Sequence, residues 1–543
     1  MLIDKATRKE KYILFSALAV FAIIVCRNAW LGDDSYITFR TIDNFMNGYG
    51  LRWNIAERVQ TYTHPLWLIV ISFFYFFTRE AYFTSLFISI AVSFCAVTIF
   101  AHKTASSRVK AVIGIIMLFS SKSFVDYSTS GLENPLSYLL AALFFMVYLK
   151  KELSLKNFFS LSLIASLAVL NRMDTLLIYI PSLAFCFFRL RSVKTLTLLI
   201  LGFIPFIAWE LFSLIYYGFP FPNTAYAKLN TGIPKTELIQ RGFHYFTNSL
   251  RIDPITLAVI ASAAIFIFAI RKNKDFTKIF CVLCGILLYL GYVLKIGGCF
   301  MSGRFFSVPF FVSVMLIANH NFTFSRNHFL VLGAVWLFLM ILSQSPPFLR
   351  SSAYGLLPKH KIWVTDAHKI TDEQLFYFQS TGLINLKKGR KPPYEQNFFN
   401  LDLAQEGLKL RKPFTQVMKF PIIGILGYYA GPSLHIVDSY GLADPLLAHL
   451  PSIYNPDWRT GHFRRKIPDG YIETIENNFD ISTIKDLVIA KYYEKISIVT
   501  RGKIFAAERL KAIYWFNFGK YFTNEYSKLK NHLLRYRFIE ARK

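Results

Sequence analysis

The chain has 543 residues, 54% of them AVILMFWYC and only 17% charged, with a mean hydropathy of +0.37 and a formal net charge of +28. So apolar a composition excludes a disordered chain and argues against an all-soluble enzyme. In a soluble protein the positive charge would suggest nucleic acid; here it raises the question of sorting across a membrane, and no nucleic-acid partner is expected.

Lys5, Arg8, Lys9 and Lys11 precede the first apolar run, 12–30, without an A-x-A cleavage site, so this run is expected to be an uncleaved first span. Further runs follow at 65–78, 81–101, 111–125, 134–149, 157–170, 174–190, 195–217, 254–270, 276–294, 305–319 and 327–345. If all twelve crossed, the polar loops would scatter over both faces. The 65–78 run is short and opens with Pro65, which predicts a helix that does not cross. With about eleven spans, the loops on the N-terminal side collect Lys103, Arg108 and Lys110, then Lys150, Lys151 and Lys156, then Arg189, Arg191 and Lys194, then Arg271, Lys272, Lys274 and Lys278, and then Arg326. Loops 126–133 and 171–173 on the other side hold only Arg172. The positive-inside rule then predicts a cytoplasmic N-terminus.

After residue 345 the charges disperse: 346–543 holds 30 Lys+Arg and 18 Asp+Glu, with Pro and Gly turns and short apolar strands expected at 422–426 and 434–437. The expected fold is therefore an α-helical polytopic membrane domain, 1–345, followed by an extracytoplasmic α/β-type globular domain, 346–543. The six cysteines form no disulfide framework. Cys281 and Cys284 have CxxC spacing but lie within an apolar run, where packing is the ordinary role.

The same topology gathers the unusual polar motifs on the outer side: GDDSYITFR (32–40), ERVQTYTHP (57–65), STSGLEN (128–134), NRMD (171–174), GFPFPNTAYAK (218–228) and GGCFMSGR (297–304). Asp33 and Asp34 directly follow the first run, and Ser35–Met46 reads as a short amphipathic helix. Adjacent carboxylates at a membrane surface supply either a helix cap or a base for an incoming hydroxyl. Glu133 follows a Gly turn, and Arg172 and Asp174 share a short connection. Arg58, Lys228 and Arg304 are cations that a phosphate would need, or interfacial residues that snorkel. In the C-terminal part, HIVDSYGLADPLLAH (435–449) reads as strand, turn and Pro-started helix, and RTGHFRRKIPDGY (459–471) as a basic loop. No Walker loop, HExxH, GxSxG or Rossmann fingerprint stands in a suitable context.

DDSYITFRTIDNFMNGYGLRWNIAERVQTYTHPLW (33–67) resembles the first outer loop of GT-C-fold glycosyltransferases that use polyprenyl-phosphate sugars. More closely, the chain resembles the family of the mycobacterial terminal β-(1→2)-arabinofuranosyltransferase. TSGLE (129–133), YYGFPFPNTAYAK (216–228), GGCFMSGR (297–304), DSYGLADPLLAH (438–449), RTGHFRR (459–465) and PDGY (468–471) continue the match in the family's order. The resemblance implies a GT-C-like fold in the bacterial inner membrane, with the catalytic first outer loop at 31–64 and a periplasmic C-terminal domain. It implies a polyprenyl-phosphate sugar donor and an envelope glycan acceptor, such as lipopolysaccharide or another cell-wall polysaccharide. Asp33 and Asp34 match the family's acidic pair and are expected to be catalytic. Donor-phosphate and substrate contacts are expected from Arg40, Arg58, Glu133, Arg172, Asp174, Asn223, Lys228, Arg304, His449 and His462. The donor needs no nucleotide, no cofactor is identified, a divalent cation is compatible with the acids, and no cluster identifies its ligands. One departure stands out: the family's GGDFM reads GGCFM here, with Cys299 in place of an acid. The competing readings are a lipid or glycolipid flippase, whose internal repeats are not seen, and a catalytically degenerate homologue.

Overall fold

The computed structural model describes residues 8–519 except 230, 232, 273, 321–324, 357–363, 388, 394–401, 454 and 456, together with 524, 527, 528 and 531. The described residues are mostly helical, and several helices are strongly apolar, as a polytopic membrane protein requires. Tyr82–Thr104, Met173–Leu190 and Phe276–Lys295 are long and apolar enough to cross a bilayer, and bent helix pairs raise that number to as many as five. Pro65–Thr78, Asn134–Lys150, Leu155–Asn171, Arg304–Asn319 and Arg326–Leu342 are shorter apolar helices.

Contacts divide the chain into two compact units: 1–32, 80–206 and 235–392 form one, and 33–79, 207–234 and 393–543 form the other. This division differs from a single cut at residue 345. Segment 346–392 is held in the first unit by buried ion pairs: Lys122 Nζ reaches Asp372 Oδ1 at 2.9 Å, and Arg350 Nη1 reaches Asp126 Oδ1 at 2.6 Å.

In the first unit, Phe276–Lys295 packs along Leu176–Leu190, Tyr82–Ile99 along Asn134–Lys150, and Val193–Gly202 along Leu155–Asn171. The first of these contacts is close because Gly285 has no side chain: a Cβ there would lie 2.1 Å from the Ile178 carbonyl oxygen. Ser107, Ser154, Ser192 and Ser325 each follow or lie within a polar loop and cap the next helix, accepting the N–H of Lys110, Asn157, Thr195 and His328. Outward-facing Phe188, Val193, Ile265 and Ile341 are exposed, as suits lipid contact. A helix absent from the expectations, Lys235–Ile252, stops at Asp253-Pro254, and the chain turns by 110° into the next apolar helix.

In the second unit, the amphipathic helix is observed at Asp33–Met46 and the short apolar helix at Pro65–Thr78. At about 1.5 Å per residue the latter is near 21 Å long, less than a ~30 Å hydrocarbon core. It buries Trp67, Leu68, Ile71 and Tyr75 and exposes Phe73, Phe76 and Phe77. Strand β1 (Gln416–Lys419) pairs in parallel with β2 (Leu434–Val437), Gln416 facing Leu434 and Lys419 facing Val437. The crossover that parallel pairing requires contains the helix Ile425–Ala430. The expected strand at 422–426 is therefore corrected: Pro421 and Gly424 lead into that helix instead. The expected helix before His449 is reduced to one 3₁₀ turn, Leu447–His449, because Asp444 accepts the Leu447 N–H at 2.8 Å. Around these elements Phe219, Val437, Leu446, Tyr471, Tyr493 and Phe516 form a core.

Candidate active site

Asp33 and Asp34 open their helix, where negative side chains complement the exposed N–H groups of the first turn. The two are not equivalent. Asp33 is buried, and its Oδ2 and Oδ1 accept the backbone N–H groups of Gly424 and Ile425 at 3.1 and 2.7 Å. Burial pushes its pKa up to about 7, opposed by the Ile425 N–H and reinforced by the neighbouring Asp34 charge. Asp34 is half-buried. Gly424 is required for this contact, because a Cβ there would lie 2.0 Å from the Asp33 carbonyl oxygen. One turn along the helix, Thr38 Oγ1 lies 2.9 Å from His64 Nε2, which ties the acid-bearing helix to segment 57–65.

Several of the cations and polar groups expected to surround the acids hydrogen-bond or pack within this unit. Arg40 is buried and donates to the carbonyls of Trp53, Gly427 and Leu434 at 2.9, 2.9 and 2.6 Å, with its guanidinium 4.1 Å from the Trp53 ring. Arg58 donates to the Gly502 carbonyl through its side chain, while its own N–H bonds Thr500. Asn223 Nδ2 serves the carbonyls of Gly441, Leu442 and Asp444. His449 is buried among Phe219, Tyr226 and Phe516, and burial lowers its pKa to about 4. Each of these four is thus packed or hydrogen-bonded within its own unit, although Arg58 Nε and His449 Nε2 are buried without a hydrogen-bond partner among the described residues. Lys228 is exposed, and His462 lines a cavity of about 510 Å³ with Tyr440, Asp457, Arg459 and Arg464.

In the first unit, four expected residues do come together. Glu133 is almost fully buried and accepts from Arg172 Nη1 at 2.9 Å and from Arg304 Nη2 at 2.9 and 3.0 Å. Arg172 also forks onto Asp174 at 2.6 and 2.7 Å and lies 4.3 Å from the Phe305 ring. Two cations and two anions make the cluster neutral overall, and the bidentate Arg–carboxylate geometry is the strong form of such pairs. Cys299 is buried nearby in sequence, its Sγ 3.4 Å from the Met301 N–H. Its loop turns through Gly297 and Gly298 at φ 84° and 70°, and a Cβ on Gly298 would lie 2.5 Å from Tyr245. Among the described residues, no three His, Cys, Asp or Glu side chains converge as metal ligands.

Sequence reasoning missed the N–H pair of Gly424 and Ile425, since backbone donors carry no residue signature. It also missed His64, although the THP tripeptide (63–65) stood within a singled-out motif.

A polytopic membrane protein bearing an acidic pair at the start of an amphipathic helix is the class that fold and site define. The chain is 25% identical over 531 residues to the terminal β-(1→2)-arabinofuranosyltransferase of Mycobacterium tuberculosis, covering 82% of each chain. It is 23% identical over 432 residues to the protein of the same name from Corynebacterium glutamicum, covering 72% of this chain and 60% of that one. No family model matches it. Solved structures similar to it include ArnT from Cupriavidus metallidurans bound to undecaprenyl phosphate, at a TM-score of 0.44 and 12% identity, over 82% of this chain and 78% of that one. The archaeal oligosaccharyltransferase AglB from Archaeoglobus fulgidus, in complex with an inhibitory peptide and a dolichol-phosphate, matches at the same score and identity over 92% and 72%. The resemblance carried by the motifs, and the expectation of an enzyme of the glycosyltransferase class, are borne out by the two arabinofuranosyltransferases.

Proposed function

We propose that this protein moves a sugar from a polyprenyl-phosphate donor to an envelope glycan on the outer face of the bacterial inner membrane. In this reading the chain has about eleven spans, a cytoplasmic N-terminus and a periplasmic C-terminal region. The observation that carries the chemistry is the unequal acid pair: Asp33 tied by two backbone N–H groups, Asp34 half-buried beside it.

Asp34 is the general base. It takes the proton from an acceptor hydroxyl while that oxygen bonds the anomeric carbon. The bond from the anomeric carbon to the phosphate oxygen breaks, and polyprenyl phosphate leaves with the electron pair. Asp33 is the positioning residue. A proton resting on Asp33 near neutral pH relieves the repulsion between adjacent carboxylates. The Glu133, Arg172, Asp174 and Arg304 cluster holds its own connections in register.

The test is transfer by the full chain, reconstituted in bilayers, from a panel of polyprenyl-phosphate sugars to envelope glycan. Transfer that is lost in Asp34→Asn with normal insertion supports the reading. Donor translocation without transfer would make the protein a flippase, and no reaction with any donor would favour a degenerate homologue.

A further inference from the structure

A cavity of about 590 Å³ in the first unit lies where Asn134–Lys150, Leu155–Asn171, Leu176–Leu190 and Phe276–Lys295 come together at one end, and the acid pair takes no part in it. Its rim carries Lys150, Lys151, Arg189, Lys274 and Lys278 against two carboxylates, Glu152 and Asp275. That leaves an excess of three positive charges around one concavity of the size that small-molecule sites have.

The rim is built rather than merely decorated. Tyr148 Oη donates to the Lys278 carbonyl at 2.8 Å, and Lys278 Nζ reaches back to the Leu149 carbonyl at 3.3 Å, fastening two helix ends together. Asn157 Nδ2 donates to the Glu152 carbonyl at 2.6 Å, which shapes the turn between the first two helices. Below the rim the lining becomes apolar, with Val147, Leu161 and Phe185. Phe188 and Phe280, on the helices that carry Arg189 and Lys278, are exposed. A soluble anion would need only the cations. A basic rim over an apolar lining of Val147, Leu161 and Phe185 suits a ligand that has a phosphate and acyl chains together.

We propose that this cavity binds the phosphate headgroup of an anionic phospholipid. The proposal stands whether or not the chain transfers sugar. The full chain is reconstituted in phosphatidylcholine vesicles containing diphosphatidylglycerol, and lipid retained on release is counted by native mass spectrometry. Wild-type protein should keep a diphosphatidylglycerol adduct, and Lys150→Gln/Lys151→Gln/Lys274→Gln should lower its retention about tenfold. A control, Lys103→Gln/Lys156→Gln/Lys272→Gln, removes the same charge from residues that do not line the cavity and should retain the adduct. Equal losses in both variants would reduce the effect to surface charge and overturn the site. Equally strong competition by the deacylated headgroup would overturn the lipid assignment. If the triple variant is not recovered folded, the single exposed-turn variant Lys274→Gln carries the test, with about a twofold loss expected and none overturning the proposal.

Discussion

Asp33 accepts the N–H of Ile425 at 2.7 Å, joining residues 392 positions apart in the chain. One carboxylate of the pair is thereby a structural acceptor, and its half-buried neighbour Asp34 is the one proposed to act on the acceptor hydroxyl.

The two acids should therefore separate in experiment. Asp33 has a pKa raised to about 7, so its contribution to stability is present in full below about 4 and is lost as pH rises through about 7. Unfolding of the wild type followed from pH 5 to 8 should show a loss of a few kcal/mol that Asp33→Asn does not share. Glu57, also raised to about 7 by burial, titrates in the same direction in both proteins, so the difference between them isolates Asp33. Asp34→Asn should keep this loss, made smaller because the Asp34 charge no longer raises Asp33, and should abolish transfer. A pH profile altered by Asp34→Asn and not by Asp33→Asn would reverse the roles.

Gly424 is the next test, because it touches the acid pair from far away in sequence. Gly424→Ala must shift the Asp33 backbone or the Ile425–Ala430 helix to relieve a 2.0 Å approach. A loss of about 3 kcal/mol is expected, with transfer falling alongside. Ala at Gly389, where a Cβ meets nothing within 4 Å, supplies the control, although its φ of 78° adds a small backbone cost of its own.

The Glu133 cluster distinguishes scaffold from substrate binding. Removing its charge with Glu133→Gln leaves the part-buried Arg172 and Arg304 with half their countercharge, and a loss of about 3 kcal/mol is expected. Thermal unfolding in detergent should register it, and Arg172→Lys should cost stability too, because Lys cannot fork onto Asp174. A stable Glu133→Gln with a raised KM for donor would instead make this cluster a substrate site.

These outcomes bear on what a sequence can disclose. Apolar runs showed nearly every long helix, because burial in lipid leaves a continuous compositional trace. The Asp33–Met46 helix was legible from its amphipathic spacing, and the acid pair from its place after the first run. Partnerships were not legible. Arg40 stood among the expected phosphate and substrate contacts, and an Arg beside two acids carries no sign of the carbonyls of Trp53, Gly427 and Leu434 to which it donates. Lys122 and Arg350 stood in unremarkable contexts, yet they bury their charges against Asp126 and Asp372. Strand β1 was missed since Gln416–Lys419 alternates too briefly to announce itself.

Topology is open to direct measurement with single cysteines in a background lacking the native ones, probed by an impermeant thiol reagent from outside. The positive-inside reading puts Lys103 and Glu152 in the cytoplasm, and Asn47 and Asp469 outside. All four are exposed, which matters because Thr129, an obvious choice from the outer loop motif, is fully buried and would stay silent on either side. Asn47→Cys and Asp469→Cys should label in intact cells, and Lys103→Cys and Glu152→Cys only after permeabilisation. The helix Pro65–Thr78 lies between Asn47 and Lys103, so it decides the parity: if it crosses, Lys103 and Asn47 fall on the same side. Labelling of Lys103→Cys from outside would then return the chain to twelve spans and scatter its basic loops over both faces, against the electrostatic preference that set the orientation.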